Sequence, residues 1–155
     1  GDWARGFALY QAYDFDKGVQ DIAATISAAR TLEGASGKVG VTGYCLGGLM
    51  TYLSAARTDA DAFAAYYGGG TDQYLAEAKN IGAPIIYHLA GADDYLKPEA
   101  QEQIKAALAD KQDAEVHIYP GCDHAFARPG GSHYDAAATQ LANSRTDEFF
   151  ARTLR

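Results

Sequence analysis

The sequence is poor in several features that mark particular classes of protein. Its 155 residues include only 2 cysteines, too few for a disulfide framework. The 13 Lys and Arg residues are outnumbered by 20 Asp and Glu and form no cluster, which argues against nucleic acid as a partner. No pair of histidines is spaced to bind a metal together with a cysteine or an acid, so neither a metal nor another cofactor is expected.

Charged residues are missing altogether from Val39 to Ala56. An uncharged stretch of this length raises the question of a membrane span. Four glycines and a change from a strand-like to a helix-like pattern favour a buried strand and a core-facing helix instead, so no membrane partner is expected. No signal peptide is visible and we expect a cytoplasmic protein, although a chain that begins at Gly1 rather than methionine does not test this.

The rest of the chain alternates between strand and helix patterns. This alternation predicts a single α/β domain over residues 1–155, with a mostly parallel sheet covered by helices on both faces. The predicted strands are 38–42, 62–67, 83–90 and 116–120, and the predicted helices are 16–31, 46–57, 71–78, 98–109 and 135–154.

A six-residue segment between the first of these strands and its helix carries the strongest chemical signal. Gly43–Gly48 has the G-x-Nu-x-G pattern of a nucleophile elbow, with Cys45 as the nucleophile. Because the strand must turn sharply into the helix, a β-carbon at Gly43 or Gly47 is expected to clash. The helix N-terminus would favour the Cys45 thiolate and offer the Leu46 N–H to an oxyanion. A buried cysteine on a glycine-rich turn is the simpler alternative.

Two further candidate groups follow later strands. Asp93 and Asp94 come just after the strand 83–90, and His124 follows the strand 116–120. Nucleophile, acid and histidine in this order, each past the carboxyl end of a strand, are typical of the α/β-hydrolase fold.

Two other residues near these groups are expected to be structural. His88 lies inside an apolar strand and is predicted to be a hydrogen-bonded core histidine. Cys122 is predicted to be a small packed residue in the histidine loop, and the alternative is a disulfide with Cys45 upon oxidation.

Taken together, these residues resemble the dienelactone hydrolase, or carboxymethylenebutenolidase, family of the α/β-hydrolase fold. The matching segments run across most of the chain: Gln11–Asp14, Gly37–Gly40, Gly43–Gly48, Tyr66–Gly68, His124–Arg128, and Leu141–Asn143 with Arg145 and Thr146.

The resemblance implies a role for each matched position. Cys45 would be the nucleophile, His124 the base, and Asp94 the acid that orients it, because the family's acid lies three residues past Gly91 and four before Pro98. Arg128 would bind a substrate carboxylate. Arg5 is the nearest candidate for a second arginine with that role.

One departure from the family concerns the front of the fold. The resemblance implies several strands before the nucleophile strand, whereas only the helix 16–31 and a short entry segment precede it here. The loop that supplies a second oxyanion N–H, and a glutamate that lies against the cysteine, are missing with those strands. We therefore expect a fragment, a processed chain or one of two polypeptides, whose exposed strand edge associates with a second polypeptide or another copy.

The expected function is hydrolysis of a small ester or lactone through a thioester acyl-enzyme. One alternative is another cysteine-elbow hydrolase of the glutamine-amidotransferase type, which expects a late His-x-Glu. His133-Tyr134-Asp135 is the closest match to that motif. The other alternative is a non-catalytic or incomplete half-enzyme that needs a complementary polypeptide.

Overall fold

A computed structural model describes residues 2–155. From residue 15 onward strands and helices alternate as the sequence predicts, with boundaries shifted by a few residues, except that the predicted helix 71–78 is 3₁₀ rather than α-helical. The strands are β1 (Gly40–Tyr44), β2 (Ala62–Tyr66), β3 (Ile85–Ala90) and β4 (Ala114–Tyr119). The α-helices are α1 (Trp3–Gln11), α2 (Phe15–Arg30), α3 (Leu46–Arg57), α4 (Pro98–Leu108) and α5 (Ala136–Thr153), and Thr71–Asn80 forms a kinked 3₁₀ segment.

The four strands form one parallel sheet in the order β1-β2-β3-β4. In register, Tyr44 lies opposite Tyr66, Tyr66 opposite His88, and His88 opposite His117. Because all four strands run in the same direction, the loops that follow them meet at one edge of the sheet.

Helices cover both faces of the sheet, as predicted. On one face, α2, α3 and α4 bury a large apolar cluster that includes Leu53 and Ile104. On the other face, Phe149 of α5 packs against Ala64 and Ile86. Within residues 2–155, no helix combines the length and apolar character needed to cross a membrane.

The edge of the sheet at β1 is open. Among the described strands β1 pairs with β2 alone, and its residues alternate between exposed and half-buried. Beside it runs a groove of about 460 Å³ between α2, β1 and the start of α3, whose apolar lining includes Ile22, Val41 and Met50. The exposed strand edge expected from the sequence is therefore present.

The segment before α2 differs from expectation. The sequence interpretation gave only a short entry segment there, but Trp3–Gln11 is helical, and the Asp2 carboxylate caps the helix by accepting the Arg5 N–H at 3.0 Å. No residue of α1 is buried, and Trp3, Phe7 and Tyr10 expose apolar rings at helical spacing.

Candidate active site

Cys45 lies at a sharp turn between β1 and α3. Its backbone has φ 57° and ψ −119°, a conformation that L-residues rarely adopt. The Cys45 N–H donates to the Tyr66 carbonyl at 3.1 Å, which ties the turn to β2. The side chain is exposed at the N-terminus of α3, as the elbow pattern predicts.

Of the two glycines that were expected to be crowded, one is crowded and the other is not. A β-carbon at Gly43 would overlap the Gly47 carbonyl and lie 2.8 Å from Thr51 Oγ1, so that position requires glycine. The same expectation for Gly47 is wrong, because a β-carbon there meets no heavy atom of residues 2–155 within 4 Å. Gly48 is the second crowded position, since a β-carbon there would overlap the Tyr66 carbonyl.

Backbone strain is concentrated in the loops at this edge. Among residues 2–155, three non-glycine residues have a positive φ: Cys45 at 57°, Tyr67 at 36° and Ala125 at 64°. They follow β1, β2 and β4 respectively, and Ala125 is next to His124. Strain of this kind costs about 1–3 kcal/mol per residue and tends to collect at functional sites.

His124 lies between Cys45 and a buried carboxylate. Its Nδ1 is 2.9 Å from Asp93 Oδ2, and the two side chains are 12% and 0% exposed. The other carboxylate oxygen of Asp93 accepts the Tyr95 N–H at 2.8 Å. With Nδ1 committed to Asp93, Nε2 is the ring nitrogen available to Cys45, and the interaction with His124 lowers the pKa of the Cys45 thiol.

The sequence-based choice of Asp94 as the orienting acid is wrong in this geometry. The Asp94 side chain is 88% exposed and accepts a hydrogen bond from Lys97 Nζ at 2.8 Å. This ion pair holds the pKa of the Asp94 carboxyl below its ordinary value. The turn after β3 sends Asp93 inward and Asp94 outward. Sequence spacing does not show that difference between adjacent residues of one type.

The electrostatics favour charge separation between Cys45 and His124. Hydrogen bonding to His124 lowers the pKa of the Cys45 thiol against the opposing effect of burial, and the Leu46 N–H lowers it further. Burial disfavours the imidazolium of His124, but hydrogen bonds to Asp93 and Cys45 outweigh it and raise the His124 pKa to about 9. Both shifts favour transfer of the thiol proton to the imidazole, relative to an isolated cysteine and histidine.

The two arginines expected to bind a carboxylate lie in different settings. Arg128 is exposed four residues past His124, and its guanidinium forms no ion pair within residues 2–155. Arg5 is exposed on α1, a helix with no buried residue, and within the same part of the chain its guanidinium contacts no member of the Cys45–His124–Asp93 set.

Two predictions about structural residues are confirmed. Cys122 is buried among aromatic and small side chains that include Tyr119 and Phe126, and burial raises its pKa. His88 is fully buried, with Nδ1 2.9 Å from Tyr119 Oη and Nε2 2.9 Å from Thr146 Oγ1.

Two tyrosines beside His124 were not picked out as site residues. The ring centroids of Tyr67 and Tyr95 lie 5.2 Å and 4.7 Å from that of the imidazole. Tyr67 lies in the family-matching segment Tyr66–Gly68, which assigned it no role, and no sequence pattern singled out Tyr95.

A parallel sheet covered on both faces, an elbow after one strand and a histidine and acid after later strands define the α/β-hydrolase class. Comparison with known proteins narrows this class. The dienelactone hydrolase family model matches residues 5–154, so the chain belongs to the dienelactone hydrolase family.

Individual relatives agree with this membership. A provisionally named carboxymethylenebutenolidase of Azospirillum brasilense is 38% identical over 153 residues, covering 99% of this chain and 66% of the relative. The carboxymethylenebutenolidase of Pseudomonas putida is 35% identical over 147 residues, covering 95% and 62%. The chain thus spans just under two thirds of these relatives' length.

A solved structure shows the same fold. The structure described as a dienelactone hydrolase of Klebsiella pneumoniae, also provisionally named, superposes with a TM-score of 0.79 at 26% identity. The superposition covers 89% of this chain and 62% of that one.

Proposed function

We propose that the chain carries the catalytic machinery of an ester or lactone hydrolase, with Cys45 as nucleophile, His124 as base and Asp93 as the acid that orients it. The observation that carries the proposal is the 2.9 Å contact of the His124 imidazole with the fully buried Asp93 carboxylate, together with an elbow cysteine whose pKa His124 lowers. Family membership and the carboxymethylenebutenolidase relatives support this reaction class.

In the proposed reaction, the Cys45 thiolate attacks the substrate carbonyl carbon. A C–S bond forms and the carbonyl π pair moves to oxygen, where the Leu46 N–H stabilises the charge. When the intermediate collapses, the C–O bond breaks and His124 gives its proton to the departing alkoxide. His124 then takes a proton from water, which attacks the thioester and releases the carboxylic acid and the thiolate.

Arg128 points to the substrate class. An unpaired guanidinium close to the histidine loop can bind a carboxylate through two parallel hydrogen bonds. We therefore include carboxylate-bearing lactones, such as dienelactones, among the proposed substrates. Arg5 stays a proposed second carboxylate ligand, which would require α1 to move toward the site.

The open edge of β1 supports a second part of the proposal, which is that a further segment completes the sheet. A further strand-bearing segment, from the same protein, a second polypeptide or another copy, would pair with β1 and fill the apolar groove beside it. The same segment would supply a second oxyanion N–H, a donor whose loss costs about 2.7–4 kcal/mol in transition-state stabilisation.

A cytoplasmic location stays a prediction.

Both parts of the proposal can be tested on one sample. Hydrolysis of p-nitrophenyl acetate and of a dienelactone tests the catalytic residues, and light scattering tests whether the chain associates with a further segment. We expect weak turnover that is lost in Cys45→Ala and kept in Cys122→Ala. Equal activity in Cys45→Ala would refute the nucleophile. A clean monomer with activity equal to that of longer family members would refute the need for a further segment.

A further inference from the structure

His124 is enclosed by aromatic rings on two sides. Tyr67 lies edge-to-face at 5.2 Å with an interplanar angle of 62°, and Tyr95 does so at 4.7 Å with an angle of 64°. Both pairs have the geometry and spacing of favourable aromatic contacts. These rings, together with Asp93 and Cys45, limit the directions in which the imidazole can turn.

The two tyrosines differ in what surrounds them. Tyr67 is 2% exposed and also packs against Phe126, so it belongs to the core beneath the site. Tyr95 is 74% exposed, so its ring lies at the surface of the site. Its contact with His124 is the feature that sets it apart from a solvated surface tyrosine.

Tyr95 is also fixed by its backbone. Its N–H donates to Asp93 Oδ1 at 2.8 Å, while Asp93 Oδ2 faces His124. One residue therefore holds the acid through its main chain and covers the histidine with its side chain. Gly69 lies beside it, where an added β-carbon would be 3.3 Å from the Tyr95 Cβ, so the backbone here is closely packed.

We propose that Tyr95 is a positioning residue whose ring closes the solvent side of the site and holds the imidazole of His124 between Asp93 and Cys45. The proposal rests on the proposed function. Without the ring, His124 can rotate toward solvent. The Cys45 thiolate then loses the hydrogen bond and the positive charge that stabilise it.

The test compares Tyr95→Ala with Tyr95→Phe in a Cys122→Ala background, with Tyr10→Ala as a matched control. Tyr10 is 49% exposed on α1, outside the proposed catalytic machinery. The first readout is the pH dependence of Cys45 alkylation by iodoacetamide, which follows the thiolate fraction. The second is kcat and KM for p-nitrophenyl acetate.

In Tyr95→Ala we expect the alkylation profile to move to higher pH by about half a unit to one unit, and kcat to fall roughly tenfold. Tyr95→Phe keeps the ring and should match the parent, as should Tyr10→Ala. Because Tyr95 is exposed, none of these changes is expected to unfold the chain.

Three outcomes would overturn the proposal. The first is a parent-like profile in Tyr95→Ala, and the second is an equal shift in Tyr95→Phe, which would assign the effect to the hydroxyl. The third is a higher KM with kcat and profile unchanged, which would make Tyr95 only a pocket wall. If the proposed function itself is wrong, Cys45 of the parent protein would react with iodoacetamide with the pH profile of an ordinary thiol. This result differs from all three outcomes above.

Discussion

Replacing Asp93 by Asn should change the titration of His124 more than any other conservative substitution at this site. Asp93 is fully buried and its Oδ2 lies 2.9 Å from His124 Nδ1. An amide keeps the size of the side chain but removes the charge, and it can present an N–H where the imidazole needs an acceptor.

The magnitude follows from the pKa of His124. A rise from 6.5 to about 9 corresponds to about 3 kcal/mol in favour of the imidazolium. Burial opposes the rise, and the hydrogen bond to Asp93 is the largest contribution in its favour. Without Asp93, burial should prevail over the remaining contact with Cys45. We expect the pKa of His124 to fall by at least about one unit.

An NMR titration of the four histidine imidazoles measures this shift without requiring turnover. Asp94→Asn is the matched control, because it removes a neighbouring carboxylate that pairs with Lys97 instead. An unchanged His124 pKa in Asp93→Asn, or a larger fall in Asp94→Asn, would refute the assignment of the acid. Hydrolysis should follow the same order, with a loss of roughly 10²- to 10⁴-fold in Asp93→Asn alone.

Three further predictions concern separate parts of the molecule. Iodoacetamide should label Cys45 faster than Cys122 at pH 7, because the Cys45 pKa is lowered and the Cys122 pKa is raised; mass spectrometry that finds equal labelling would contradict this. Burial lowers the pKa of His88 to about 3, so the unfolded chain binds a proton that the folded chain does not between pH 6.5 and 3. The free energy of unfolding in urea should therefore fall with decreasing pH in that window, by up to about 1.4 kcal/mol per pH unit, and His88→Gln should lack this component. Arg128→Ala should raise KM for a dienelactone roughly tenfold to a hundredfold, while KM for p-nitrophenyl acetate, which carries no carboxylate, stays the same.

The sequence was sufficient for the topology and for the position of the elbow cysteine. Alternating apolar strands and amphipathic helices predicted the parallel sheet, since each element has to bury one face against another. The elbow was recognisable because a strained turn next to a helix N-terminus restricts the residues around it, as the crowded position of Gly43 shows.

Other features depended on contacts between distant residues. The elbow pattern singled out Gly47, and only the position of β2 shows that Gly48 is the crowded one. The choice between Asp93 and Asp94 depended on the direction of one turn. Helix α1 was missed although Trp3, Phe7 and Tyr10 have helical spacing, and the structure shows that none of its residues is buried.

The backbone geometry of Cys45 depends on several strands rather than on the elbow motif alone. Its strained backbone is held by a hydrogen bond to the Tyr66 carbonyl, and the strained Tyr67 is held by a hydrogen bond of 2.8 Å from its N–H to the His88 carbonyl. β2 and β3 therefore each hold the strained residue that follows the strand before it. Because β1 has β2 as its only partner among the described strands, the geometry of Cys45 depends on the cohesion of β2 and β3 at this edge. A further strand paired with the open edge of β1 would hold the Cys45 turn from the side opposite β2. Completion of the sheet would then be linked to the proposed reactivity of the Cys45 thiolate.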